Sequence, residues 1–158
     1  MQSREKIRIK MTDFIIDEMV IRECDSFTAP DGTETFRSLD FMSSFIESKH
    51  RLGLNDTIEK KYRNYQKTIK DAGIFTTPLS SRIINRILRN DKIIKVSGTP
   101  GNYNSIRAKK CDIHFVGVSI QLRGIFVTND EPLKNNIENQ GLNSQFSTVK
   151  IEDAKTQI

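Results

Sequence analysis

The stretch from Asp112 to Ile151 constrains the fold most. Ile113, Phe115, Val116, Val118, Ile120 and Leu122 form a segment that is apolar on most sides and stops at Gly124. It reads as a helix from about Asp112 to Arg123, of the kind that lies between a sheet and other helices. Ile125-Phe126-Val127-Thr128 then reads as a strand, about Glu131 to Gln140 as a helix, and Thr148 to Ile151 as a strand. The linkers are only a few residues long, and strands joined through a helix run parallel. The pattern predicts a three-layer α/β/α sandwich around a mostly parallel central sheet.

The preceding residues extend this plan. Asp13 to Ile16 is a short apolar strand with Asp17 at its carboxyl end, and Glu18 to Asp25 continues as a short helix. Thr28-Ala29-Pro30-Asp31-Gly32 is a turn-rich breaker. From Thr33 to about Arg51, Phe36, Leu39, Met42, Phe45 and Ile46 recur at helical spacing, with Gly53 as the stop signal. Asn55 or Asp56 can cap the next helix, in which Ile58, Tyr62, Tyr65, Ile69 and Ala72 share one face before Gly73. Thr77-Pro78 opens another helix, which buries Ile83, Ile84, Ile87 and Leu88 and aligns Arg82, Arg86 and Arg89 along a second face. Ile93 to Val96 is a β-branched strand, followed by a Gly98-to-Asn102 loop. There is no repeat, low-complexity tract or linker, so residues 1–158 read as one domain with its core at about 13–151.

A chain of 158 residues can bury roughly two-thirds of its unfolded surface, so it needs no metal or disulfide to fold. Cys24 and Cys111 have no CxxC spacing and read as reduced thiols of a cytoplasmic protein. No apolar run approaches the roughly 18 residues of a membrane span, so no membrane partner is expected. The charge is uneven. Arg82, Arg86, Arg89, Lys92, Lys95, Arg107, Lys109 and Lys110 face one acid, Asp91, giving that stretch a formal +7 while the whole chain carries +5. Such a stretch is either a solvated basic face or a phosphate-binding surface.

Ligands of open parallel sheets bind beyond the carboxyl ends of the strands. Asp17, Asp112 and Asp130 all fall at that edge on this reading. Clustered carboxylates repel and raise one another's pKa unless a cation joins them, so the set suits a hard divalent ion. Helix capping is the competing explanation for Asp112 and Asp130. His50 and His114 stand alone in sequence, and the tyrosines and phenylalanines at helical spacing read as core. Gly98-Thr99-Pro100-Gly101 lacks the lysine of a P-loop, there is no GxGxxG, and Asp17 is followed by Glu18-Met19 rather than a phosphatase-like Asp-x-Asp.

Phe14-Ile15-Ile16-Asp17, Asp112-Ile113-His114-Phe115-Val116-Gly117-Val118-Ser119 and Gly124-Ile125-Phe126-Val127-Thr128-Asn129-Asp130 together resemble the PIN-domain nucleases. In that family an apolar strand ends in Asp, a helix opens with Asp before an apolar run, and a strand begun by Gly ends in Thr-x-Asp. The resemblance implies Asp17, Asp112 and Asp130 as metal-binding catalytic carboxylates, with Thr128 hydrogen-bonding among them. It implies a Mg²⁺- or Mn²⁺-dependent endoribonuclease acting on single-stranded RNA, in one form the toxin half of a toxin–antitoxin pair. An antitoxin or other protein partner and a homodimer are family-level expectations. Arg82, Arg86, Arg89, Arg107, Lys109 and Lys110 would then hold the RNA backbone.

The family commonly places a further acid before an aromatic residue on a middle helix, and Lys61, before Tyr62, stands where it would be expected. Glu59 is the nearest candidate, but it lies about 200° round a helix from Lys61. Lys61 favours a second reading, a catalytically degraded PIN-like domain that binds RNA or protein. A third is an unrelated doubly wound domain that binds a small molecule.

Overall fold

The computed structural model describes residues 11–26, 36–71, 78–98 and 112–158. Five strands, β1 (Asp13–Ile16), β2 (Arg51–Leu54), β3 (Ile93–Lys95), β4 (Ile125–Val127) and β5 (Ser147–Val149), form one sheet in the order β3-β2-β1-β4-β5. Every pairing is parallel. The described helices are α1 (Glu18–Arg22), α2 (Arg37–Glu47), α3 (Asp56–Asp71), α4 (Leu79–Ile87), α5 (Asp112–Leu122), α6 (Glu131–Asn139) and α7 (Ile151–Lys155). The result is a three-layer α/β/α sandwich, as the alternating pattern predicts.

Side chains alternate across a strand, and β1 divides the core accordingly. Phe14 meets the α2 residue Phe45 edge-on, with ring centroids 5.6 Å apart. Ile15 pairs in register with Phe126, which stacks at 5.6 Å on Phe115 of α5. So α2 covers one face and α5 the other. Phe14, Ile15, Ile16, Phe45, Phe115 and Phe126 are all fully buried. The even apolarity of α5 follows from this position, for its Phe115, Val116, Gly117, Val118 and Ser119 are buried together.

The expected helix from Thr33 to Arg51 is shorter, and its end holds a strand. Residues 33–35 lie outside the described residues, α2 stops at Glu47, and Arg51–Leu54 is β2. Gly53 is therefore a strand residue rather than a helix stop. A Cβ there would stand 2.5 Å from Leu122 Cδ1 and 3.3 Å from Ile15 Cγ1. The glycine lets α5 lie close on β2. Lys92 completes the turn that follows α2: its buried ammonium donates to the carbonyls of Phe45 and Ser48, at 2.6 and 2.8 Å. This cation of the basic stretch is a helix C-cap and no phosphate ligand.

Smaller differences concern ends. Asn55 rather than Asp56 caps α3, its Oδ1 accepting from the Ile58 N–H at 2.9 Å. The last strand starts one residue earlier and ends two residues earlier than expected, at Val149, and Ile151 opens a further helix, α7. Thr77, the expected cap of α4, lies outside the described residues, as do Cys111 and the loop from 99 onward. Among the described residues no helix is long and apolar enough to cross a membrane.

Candidate functional site

The chain runs β1, β2, β3 to one side of the sheet and returns to place β4 on the other side of β1. In open parallel sheets such a reversal marks the edge where ligands bind, beyond the carboxyl ends of β1 and β4. The Asp17 N–H donates to the Val127 carbonyl at 2.9 Å, and the Thr128 N–H to that of Val149 at 3.0 Å. Backbone pairing thus carries Asp17 and Thr128 to adjacent points at that edge.

A short relay joins the predicted residues there. Thr128 Oγ1, fully buried, donates to Asp17 Oδ2 at 2.7 Å and accepts the Asp130 N–H at 3.1 Å. Asp17 Oδ1 accepts the Met19 N–H at 3.3 Å, and Asp130 Oδ1 accepts that of Leu133 at 3.1 Å. Both aspartates therefore cap helices, α1 and α6, so capping accounts for part of Asp17 as well as of Asp130. Burial pushes the Asp17 carboxyl above its ordinary value. The Thr128 hydroxyl, the Met19 N–H and the Lys61 ammonium pull it down, whereas Asp130 pushes it further up.

Asp112 is buried and opens α5. The first turn of α5 sits at the same edge, because His114 Nδ1 shares a 3.0 Å hydrogen bond with Asn55, just past the end of β2. Among the described residues no three His, Cys, Asp or Glu side chains gather closely enough to hold an ion. Of the three expected acids, Thr128 links Asp17 and Asp130 directly, and Asp112 opens α5 along the same edge.

The structure does not bring Glu59 to the acids. Its carboxylate bonds Lys95 at 2.8 Å and lies 3.7 Å from Arg63. Lys61, on the other side of α3, points into the site: its ammonium is 3.2 Å from Glu18 Oε2 and 5.4 Å from the centroid of the Phe115 ring. The two side chains diverge as the 200° separation requires.

Three participants were not legible beforehand. Glu18 is 5% exposed and bridges Lys61 and Arg22, the latter at 2.7 Å. Asn129 donates to Glu23 Oε2 at 2.7 Å and Glu23 accepts from Ser38 Oγ at 2.9 Å, which ties the Thr128–Asp130 turn to the start of α2. Tyr62, core as expected, also donates its hydroxyl to the Ile16 carbonyl just ahead of Asp17. Glu18 adjoins Asp17, a sufficient hint; the Asn129 and Tyr62 contacts join distant segments and leave no local signal.

The basic stretch is less uniform than its composition. Arg82, Arg86 and Arg89 are exposed, the first two on α4 and the third just after it, with Arg89 3.5 Å from Asp91. Lys95 is held by Asp56 and Glu59. Arg107, Lys109 and Lys110 lie outside the described residues.

A hard cation fits part of this arrangement. Mg²⁺ is commonly held by one or two carboxylates with retained waters, and Asp17 and Asp130 are the carboxylates that would hold it. Asp130 uses Oδ1 for its helix cap and, among the described residues, Oδ2 has no hydrogen-bond partner. Compared with known proteins, the chain matches no family model and no curated sequence.

Proposed function

We propose that the chain is a PIN-like, Mg²⁺- or Mn²⁺-dependent endoribonuclease acting in the cytoplasm, with Asp17 and Asp130 as principal metal carboxylates. The observation that carries this reading is the Asp17–Thr128–Asp130 relay at the sheet's reversal point. Burial and the neighbouring Asp130 charge both raise the Asp17 carboxyl, and a divalent cation would relieve both. Asp112, at the start of α5, would join through retained water. The bound ion would polarise the scissile phosphate and supply hydroxide from its water. Thr128 fixes the Asp17 oxygen that faces it, and Asn129 fixes the turn carrying Asp130. Single-stranded RNA is the substrate class, and a toxin role with an antitoxin partner and a homodimer belongs to the same proposal.

Metal-free protein titrated with Mn²⁺ tests this. A ligand at about 100 times its Kd stabilises by about 2.7 kcal/mol. Wild-type protein should melt higher with Mn²⁺ and cleave single-stranded RNA, and Asp17→Asn should lose both while remaining folded. Undiminished cleavage by Asp17→Asn would remove the assignment.

Lys61 supports a second reading, a catalytically degraded domain that binds RNA or protein. Its ammonium already reaches the acidic edge, 3.2 Å from Glu18, and lowers the Asp17 carboxyl. A resident cation competes with a divalent one. Salt-sensitive RNA binding with neither Mn²⁺ stabilisation nor product would establish this reading instead.

A further inference from the structure

We propose that the groove between α1 and α3 is a phosphate subsite that seats the backbone of single-stranded RNA beside the acidic edge. This deepens the nuclease reading and rests on it for the identity of the ligand. The groove encloses about 330 Å³ and is lined by Glu18, Arg22, Lys60, Lys61, Asn64 and Tyr65 among others. It adjoins the Asp17 edge directly, since Glu18 follows Asp17 and Lys61 acts on both.

Its chemistry is that of an anion site. Three cations line it against one carboxylate, and that carboxylate is already shared. Arg22 donates Nε to Glu18 Oε1 at 2.8 Å and places Nη2 2.7 Å from the same oxygen, while its guanidinium lies 4.7 Å over the Tyr65 ring. Glu18 and Tyr65 thus hold the guanidinium plane, leaving Nη1 for another acceptor. Lys61 has three donors and directs one charge contact to Glu18. Lys60 and Asn64 are exposed at the groove and add a second ammonium and an amide donor. Buried Glu18 therefore orients two cations without cancelling the groove's excess charge. Oriented guanidinium and ammonium donors match phosphate oxygens, which carry position rather than base identity. An RNA strand whose neighbouring phosphate rests here would present its next bond to Asp17 and Asp130. Lys61, at the junction, then serves substrate placement, which gives the site a use for a cation where an acid is expected.

The test is fluorescence anisotropy of a short fluorescent oligouridylate in EDTA, across a salt series. Binding in EDTA separates the groove from metal chemistry. Lys60→Glu combined with Asn64→Asp alters only exposed positions of α3, and thermal melting confirms folding. Arg82→Glu with Arg86→Glu on α4 is the comparison. The groove variant should bind about tenfold more weakly, with the log-log salt slope reduced by about 1 for each phosphate that the protein no longer neutralises. Wild-type affinity and slope in the groove variant would overturn the subsite, as would failure of the wild-type chain to bind. Mn²⁺ cleavage separates the two readings: normal RNA binding and cleavage by the groove variant overturns the subsite alone, whereas groove-dependent binding without cleavage overturns the nuclease alone.

Discussion

Thr128→Val is the sharpest probe of the relay, because valine keeps the shape of threonine and removes its hydrogen bonding. Thr128 is fully buried, with Oγ1 2.7 Å from Asp17 Oδ2 and 3.1 Å from the Asp130 nitrogen. A hydrogen bond to a charged group contributes about 1.5–3 kcal/mol, and an N–H left without an acceptor costs about 1–3 kcal/mol. The Asp130 amide is only part-buried and partly recovers through water, so the expected loss is about 3–5 kcal/mol. Thr128→Ser keeps the hydroxyl and loses one methyl, about 1 kcal/mol. Urea unfolding of metal-free protein separates these values, and thermal melting should show the valine variant roughly 10 °C below wild type. Acid should narrow the gap. Burial already raises the Asp17 carboxyl above 3.8, and losing the hydroxyl that lowers it raises it further. A group whose folded pKa is raised contributes stability below its unfolded pKa and loses that contribution as pH rises through the folded value. The valine penalty is therefore largest near neutral pH and shrinks toward about pH 4. A valine variant within about 1 kcal/mol of the serine variant at neutral pH, or a penalty that grows on acidification, would refute the relay.

Two further outcomes follow from the same geometry. His50 Nδ1 accepts the Thr12 N–H at 3.0 Å, and burial, with the charge of Lys92, holds the ring below its ordinary 6.5. Its stabilising contribution is complete above about pH 6.5 and is lost as pH falls through the folded value, so wild-type protein should lose more stability than His50→Gln between neutral and mildly acidic pH in urea titrations. Equal losses would place the pH sensitivity elsewhere. Glu59 bonds Lys95 on the side of α3 away from Lys61, so Glu59→Ala should change stability by less than about 1 kcal/mol and leave the Mn²⁺ melting response at its wild-type value. Loss of that response would return Glu59 to the site.

The elements that were legible carry their signal locally. Ile58, Tyr62 and Tyr65 on α3 repeat at helical spacing, and the run Ile125–Val127 between Gly124 and Asp130 reads as a strand from its own few residues. Asp17, Thr128 and Asp130 could be placed at one edge because a parallel sheet sends all its strand ends the same way. β2 was missed because Arg51-Leu52-Gly53-Leu54 is short, and its glycine resembles a helix stop. Only Leu122 and Ile15, far away in the chain, show that a larger residue there would have to displace them.

Sequence alone determined the class of fold, since periodicity and short linkers reflect local burial and leave few arrangements of strand and helix. It also determined which acids end strands and that Glu59 and Lys61 diverge, because helix geometry is set by position along the chain. Tertiary structure alone decided which charges meet. Lys61 joins Glu18, Glu59 joins Lys95, Lys92 caps α2 and Asn129 holds Glu23, each across tens of residues. Such partners depend on how helices pack on the sheet, and the weak, distance-dependent energy of a charge pair leaves no periodic trace in the chain. Among the described residues, the same packing sorts the five basic residues from Arg82 to Lys95 into one capping lysine, two paired side chains and two exposed arginines on α4.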